Sequence, residues 1–298
     1  MGKAERIRRM NAREKIAAQQ VAARRAEARR RMFIASGSVL GVLVIVIALI
    51  VIKAASNNSA AASGPASGST TASVTRQLST VPAATLDSIG KGTGVSPLIP
   101  TTGQPALTSG GKPEIVYMGA EYCPYCAAER WAMVVALSRF GTFSNLHLIH
   151  SSGTDVYPNT PTLSFYKSSY TSQYVQFTSV EMNGAKQNVT LQKPTAAESA
   201  LLSKYDAPPY VQSNVAGSIP FVDFGNQYLV VGAQYLPSSL AGLTWAQVAS
   251  GIRDPSSPVA KGVDGTANAI TAAICKITKT APAAVCNSAA AQAGAGSL

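Results

Sequence analysis

Residues 114–140, EIVYMGAEYCPYCAAERWAMVVALSRF, decide how this chain is read. Ile115, Val116, Tyr117 and Met118 form a short apolar run of strand formers, and Gly119 and Ala120 end it. Pro124 then stands where a helix tolerates proline best, in the first turn, because its missing N–H would have had no partner there. No Gly or Pro interrupts residues 127–140, and Trp131, Val134, Val135 and Ser138 recur at helical spacing, so one face can pack on a sheet. The expectation is strand, tight turn, helix, with Cys123 at the helix N-terminus. Unpaired N–H groups and the helix dipole favour an anion there, and a thiolate is such an anion. Only the thiolate attacks a disulfide. Cys126, one helical turn on, can close a ring onto Cys123 and so resolve a mixed disulfide.

By itself a C-x-x-C has three readings: half of a zinc site, a structural disulfide or a redox pair. Zinc needs a second close Cys/His pair. Cys275 and Cys286 are spaced poorly for that. His147 and His150 are the chain's two histidines, and on an alternating strand at 146–150 they point to opposite faces. The strand–CxxC–helix context favours the redox pair.

The chain has 298 residues and a net charge of +11. Residues 1–31 carry eleven Lys/Arg against three Glu, and so hold eight of those net charges. Residues 32–52, MFIASGSVLGVLVIVIALIVI, contain no charged side chain. At ~1.5 Å per residue they match the ~30 Å hydrocarbon core of a bilayer. The positive-inside rule then places the N-terminus in the cytoplasm and everything after Lys53 outside it. A cleaved signal peptide, with the small residues 60–62 at its cleavage site, is the alternative, but its apolar stretch runs to only ~7–15 residues. The basic tail suits contact with anionic lipid headgroups. Having no aromatic residue to stack on bases, it does not suit nucleic acid. Outside the cytoplasm disulfides persist, and four cysteines make two pairs.

The expected organisation is a basic tail (1–31), a transmembrane helix (32–52), a flexible linker (53–80) rich in Ala, Ser, Gly and Thr, a folded domain (81–288) and a disordered small-residue tail (289–298). Within the domain, a short helix is expected in 81–89 and a loop over 90–112. Strands are expected at 146–150, 162–166 and 174–181, and a helix at 194–205, stopped by Pro208 and Pro209. Residues 218–224 and 228–231, split by Gly225 and Asn226, read as a hairpin with Pro220 at the strand start. Helices follow in 237–250 and 268–278. A Cys275–Cys286 bridge would tie the last helix down, worth about 3 kcal/mol in the chain-entropy account.

Strand, CPYC helix, a distant Ile-Pro, a hairpin and a terminal helix resemble the order of a thioredoxin-like domain, and Cys-Pro-Tyr-Cys is the glutaredoxin form of its motif. More closely, GAEYCPYCAAERWA (119–132), TPTLSFYKSSYTSQYV (160–175), IPFVDFGN (219–226) and the TAAICK…PAAVC segment resemble a family of membrane-anchored prokaryotic thioredoxin-like proteins of unassigned function, over residues 80–288. The resemblance implies an α/β thioredoxin-like fold with an insertion and an extracytoplasmic thiol–disulfide oxidoreductase. Cys123 would attack and Cys126 resolve. Pro124, Tyr125, Ile219 and Pro220 would hold the substrate chain, and Cys275–Cys286 would be structural. Protein thiols and disulfides would be the substrates, a membrane redox protein the recycling partner, and no cofactor would be needed.

Two departures qualify it. Thioredoxin keeps a buried acid six residues before its first cysteine; Tyr117 stands there, leaving Tyr117 and the nearby Glu121 as candidates for proton transfer. Pro220 follows Cys126 at an unusually long interval, so residues 151–215 read as an insertion. Competing readings are a non-enzymatic thioredoxin-fold binding module of the envelope, stapled by its CPYC disulfide, and a metal-handling protein.

Overall fold

The computed structural model describes residues 66–298. The basic segment 1–31, the apolar segment 32–52 and the start of the linker lie outside the described residues. Among those described, no helix is long and apolar enough to cross a membrane.

The described chain opens with helices α1 (Gly68–Ser79) and α2 (Ala83–Ile89), then strands β1 (Ile99–Pro100), β2 (Thr108–Ser109) and β3 (Lys112–Gly119). Helix α3 (Pro124–Leu137) leads to β4 (Gly141–Ser144), β5 (His147–His150), β6 (Pro161–Ser164), β7 (Ser169–Ser172) and β8 (Gln176–Glu181). Then come α4 (Ala196–Tyr205), β9 (Phe221–Phe224), β10 (Tyr228–Val231), a 3-10 turn (Pro237–Leu240), α5 (Trp245–Ile252), α6 (Pro258–Ile277), α7 (Ala283–Cys286) and α8 (Ala289–Gly294).

This is a mixed α/β architecture around one mixed sheet. β3 lies at its centre, parallel to β8 along Glu114–Gly119 and antiparallel to β9 along Ile115–Met118. β10 pairs with β9 and β1 with β10, while β2 folds back on the start of β3. Alternation along β3 divides the core. Ile115 and Tyr117 face the larger cluster with Phe177, Val222, Phe224, α3 and α6. Val116 and Met118 face a smaller one with Val180, Phe221, Leu229 and Tyr205 of α4. Helix α3 is buried from Cys126 to Leu137, not on one face alone, because α6, β6 and α1 also pack against it.

Several expectations change. Part of the expected flexible linker, Gly68–Ser79, is helix α1. Ser67 caps it by accepting the Thr70 N–H, and Val74 and Leu78, one turn apart, enter the main core. The expected disordered tail forms α8, and Ala290, Ala291 and Gly294 are buried. A Cβ at Gly294 would overlap the Asn268 carbonyl of α6, so small residues serve close helix contact there. α6 begins ten residues before the expected 268, running through Gly262 and Gly265. A Cβ at Gly262 would crowd the Tyr235 ring, and one at Gly265 the Gly92 backbone. The helix expected over 237–250 is split in two around Gly242 (φ +69°). Residues 151–215 are not wholly an insertion, since they include β8, the parallel neighbour of β3.

Candidate functional site

At the C-terminal end of β3 three segments converge. The register places Gly119 beside Glu181 at the end of β8, and Met118 beside Phe221 at the start of β9. A Cβ at Gly119 would overlap the Tyr117 hydroxyl, so glycine lets that buried ring lie where it does. The chain then turns into α3, with Cys123 as its N-cap residue in an extended conformation (φ −75°, ψ 121°) and Pro124 in the first turn. Sγ of Cys123 accepts the Cys126 backbone N–H at 3.2 Å, filling the capping role that an oxygen usually takes.

Ile219-Pro220 is a cis peptide immediately before β9. The Ile219 carbonyl lies 3.7 Å from Sγ of Cys123 and accepts from it while Cys123 is a thiol. The four cysteines fall into two kinds: Cys275 and Cys286 are bridged, whereas Cys123 and Cys126 are unbridged. Cys123 keeps 5% of its surface and Cys126 none, so a partner reaches Cys123 first.

The two thiols are driven apart electrostatically. A hydrogen bond from the Cys126 thiol holds Cys123 below the usual cysteine range against the opposing effect of burial, aided by the Cys126 backbone N–H and the Arg130 charge. Burial pushes Cys126 well above that range, and the bond it gives to Cys123 adds to the rise. The thiolate therefore belongs on Cys123.

The other expected site residues divide. Tyr125 is exposed, with its ring edge-on to Tyr157 of the loop between β5 and β6 at 5.9 Å. The same loop is tied to the motif by the Ser152 N–H, which donates to the Tyr122 carbonyl at 2.8 Å. Tyr117 is fully buried, its hydroxyl finds no hydrogen-bond partner among the described residues, and burial lifts its pKa well above the usual range. It is in no position to serve as a base near neutral pH. Glu121 is engaged: its carboxylate accepts the Ser164 hydroxyl at 2.6 Å, and its N–H donates to the Asn183 carbonyl. His147 is exposed on β5, and His150 packs against Trp245 with ring centroids 4.3 Å apart and the rings tilted by 38°. Among the described residues, no group of three or more His, Cys, Asp or Glu is arranged to hold a metal ion.

Two residues beneath the motif escaped the sequence reading. Arg130 of α3 and Glu181 of β8 form a fully buried ion pair, Nε to Oε1 and Nη2 to Oε2, each at 2.7 Å. Arg130 stands four residues after Cys126, a spacing visible in the sequence. Its partner was not visible, because only the β3–β8 register brings Glu181 there.

A family model described as a domain of unknown function (DUF929) matches residues 102–276, more than half of the chain. The chain belongs to that family. The DUF929 span contains β3, α3 and their two cysteines, the segment before β9, and Cys275, and it ends before Cys286. No curated protein and no solved structure matches the chain.

Proposed function

We propose that this DUF929 protein is a thiol–disulfide oxidoreductase acting on protein cysteines through Cys123 and Cys126. The observation that carries the reading is the placement of Cys123. Its sulfur caps α3, accepts the Cys126 N–H and lies against the Ile219 carbonyl. Such a sulfur is held as a nucleophile, with a second sulfur one turn away to resolve.

The sheet order supports a thioredoxin-like fold. β3 leads into the CPYC helix, β8 is parallel to β3, β9 and β10 follow antiparallel, and α6 closes the domain. On this reading Cys123 attacks a substrate disulfide or is released from one, and Cys126 displaces the partner. Ile219 and Pro220 border the path of the substrate chain, together with Pro124 and Tyr125. The chemistry is carried by the sulfurs. The apolar segment 32–52 and the basic residues before it favour an anchored protein whose catalytic domain faces the oxidising side of the membrane. A membrane-bound redox protein would be the natural recycling partner there.

The test is the reduction potential of the Cys123–Cys126 pair in the full-length protein, equilibrated with glutathione and read by alkylation of these two cysteines. Values of about −120 to −270 mV are those of exchange proteins. A bond that resists reduction below about −300 mV is a structural disulfide, and the binding-module reading would then take over.

A further inference from the structure

Beneath the dithiol lies a cation that exchange chemistry alone does not demand. Cys126 and Arg130, four residues apart, share a face of α3. Besides gripping both oxygens of Glu181, Arg130 donates from Nη2 to the Ala120 carbonyl at 2.7 Å, at the turn into the motif. Its Nη1 has no hydrogen-bond partner among the described residues. Glu181 also accepts the Phe165 N–H at 3.3 Å, so both ends of the pair are fixed in place. The ionisable groups around the sulfurs are Arg130 and Tyr125 on α3, Tyr117 on β3, Glu181 on β8 and Tyr122 in the turn. Burial raises all three tyrosines above their usual range, so they stay neutral. The Arg130 charge favours the thiolate at both Cys123 and Cys126, after the larger effects of burial and of the hydrogen bond between the two thiols.

We propose that Arg130, pinned by Glu181 beneath the motif, is a positioning charge that joins the hydrogen bond from Cys126 in holding the reduced motif in its Cys123 thiolate form, and that CPYC is thereby an oxidant of protein dithiols. This rests on the exchange reading above and adds its direction. A substrate thiolate attacks Sγ of Cys123 in the Cys123–Cys126 disulfide; the S–S bond breaks, and its electron pair leaves on Cys126, which is protonated. The second substrate thiolate attacks the substrate sulfur of the mixed disulfide. That bond breaks in turn, and its electron pair leaves on Cys123, which remains a thiolate. The substrate loses two electrons and gains one disulfide, and CPYC gains the two electrons. Of the two protons lost by the substrate thiols, one ends on Cys126 and one in solvent. Stabilising the departing Cys123 thiolate speeds release and favours the reduced protein.

The experiment titrates Cys123 by pH-dependent alkylation in full-length protein and measures the equilibrium with glutathione. Three proteins are compared: wild type, Glu181→Gln, and Arg130→Met/Glu181→Gln. Glu181→Gln leaves the cation without its counter-charge, so the Cys123 pKa falls. The double variant removes the cation as well, so the pKa rises above wild type. Its glutathione equilibrium shifts at least tenfold toward the protein disulfide, about 30 mV for a two-electron couple. A purely structural ion pair would not produce shifts of opposite sign. Shifts in the same direction, changes under twofold, or a wild-type Cys123 titrating as an ordinary thiol overturn the proposal. Should the double variant not fold, the wild-type titration and Glu181→Gln decide. If glutathione does not reduce the wild-type pair at all, the exchange reading itself fails. A pair that exchanges freely but titrates ordinarily overturns the role of Arg130 alone.

Discussion

The Cys123 sulfur and the Ile219 carbonyl oxygen lie 3.7 Å apart, although 96 positions separate the two residues in sequence. The sheet brings them together: β8 lies along one edge of β3, and β9, which follows Pro220 directly, lies along the other. On the exchange reading proposed above, a substrate chain reaching Cys123 passes Ile219.

The exposure difference between the two thiols leads to a labelling prediction. In the reduced protein, iodoacetamide should modify Cys123 at least tenfold faster than Cys126, since only Cys123 reaches the surface and its thiol is the lowered one. Cys126→Ser should accumulate mixed disulfides with protein partners through Cys123. Mass spectrometry of the trapped species checks both points, and equal labelling would contradict the assigned roles.

Tyr117 offers a test of proton transfer. Its hydroxyl is buried without a partner among the described residues, so Tyr117→Phe should leave stability equal or greater. It should also change the exchange rate by less than twofold. A tenfold loss of rate would restore Tyr117 as a proton carrier.

The ion pair carries a stability cost when broken unevenly. Arg130→Ala strands a buried carboxylate and should cost about 3–5 kcal/mol in denaturant unfolding. Replacing both partners with apolar residues of similar volume should cost far less.

Four buried carboxyls set a pH dependence, among them Asp206, which burial raises to about 6. Burial raises Asp264 to about 8, with neither oxygen partnered among the described residues. It raises Glu129 to about 7 despite the bond that Glu129 accepts from the Gln234 N–H at 3.0 Å. Asp223 also reaches about 7 through burial. These groups stay protonated in the fold after the unfolded chain has released its protons. The folded state therefore binds more protons between pH ~4 and ~8, and stability falls as pH rises through that window, by up to about 1.4 kcal/mol per pH unit for each group. Thermal unfolding across this range should show the decline, and Asp264→Asn should flatten its upper part. A rising stability would contradict it.

The second cysteine pair should be separable from the first. Cys275→Ala/Cys286→Ala opens a bridge between residues 11 apart that ties α6 to α7, costing about 3 kcal/mol in the chain-entropy account. Glutathione exchange at Cys123 should stay unchanged. A lost exchange equilibrium in the folded double variant would show that the two pairs communicate.

Local chemistry was legible because it depends on neighbours in sequence. Gly119 ends β3, Pro124 starts α3, and Cys123 therefore falls at the N-cap. The turn of Gly225 and Asn226 between β9 and β10 was legible for the same reason, and Asp223 reinforces it by accepting the Asn226 N–H at 2.7 Å. Weakly apolar segments were not. α1 and α8 are composed largely of Ala, Ser, Thr and Gly, which carry little hydrophobic signal. They are ordered because the core offers Val74, Leu78 and Ala290 a surface to cover.

By itself, the sequence determined that a cysteine would cap a helix after a buried strand, that a second would follow one turn later, and that an Ile-Pro would precede a hairpin. These are consequences of backbone preferences over a few residues. Tertiary structure decided which charge lies beneath the sulfurs, which carbonyl faces Cys123, and that the Tyr117 hydroxyl is buried without a partner among the described residues. Each of those depends on strand register and burial, and electrostatic effects in a dry interior are set by distances between residues that the chain order leaves far apart.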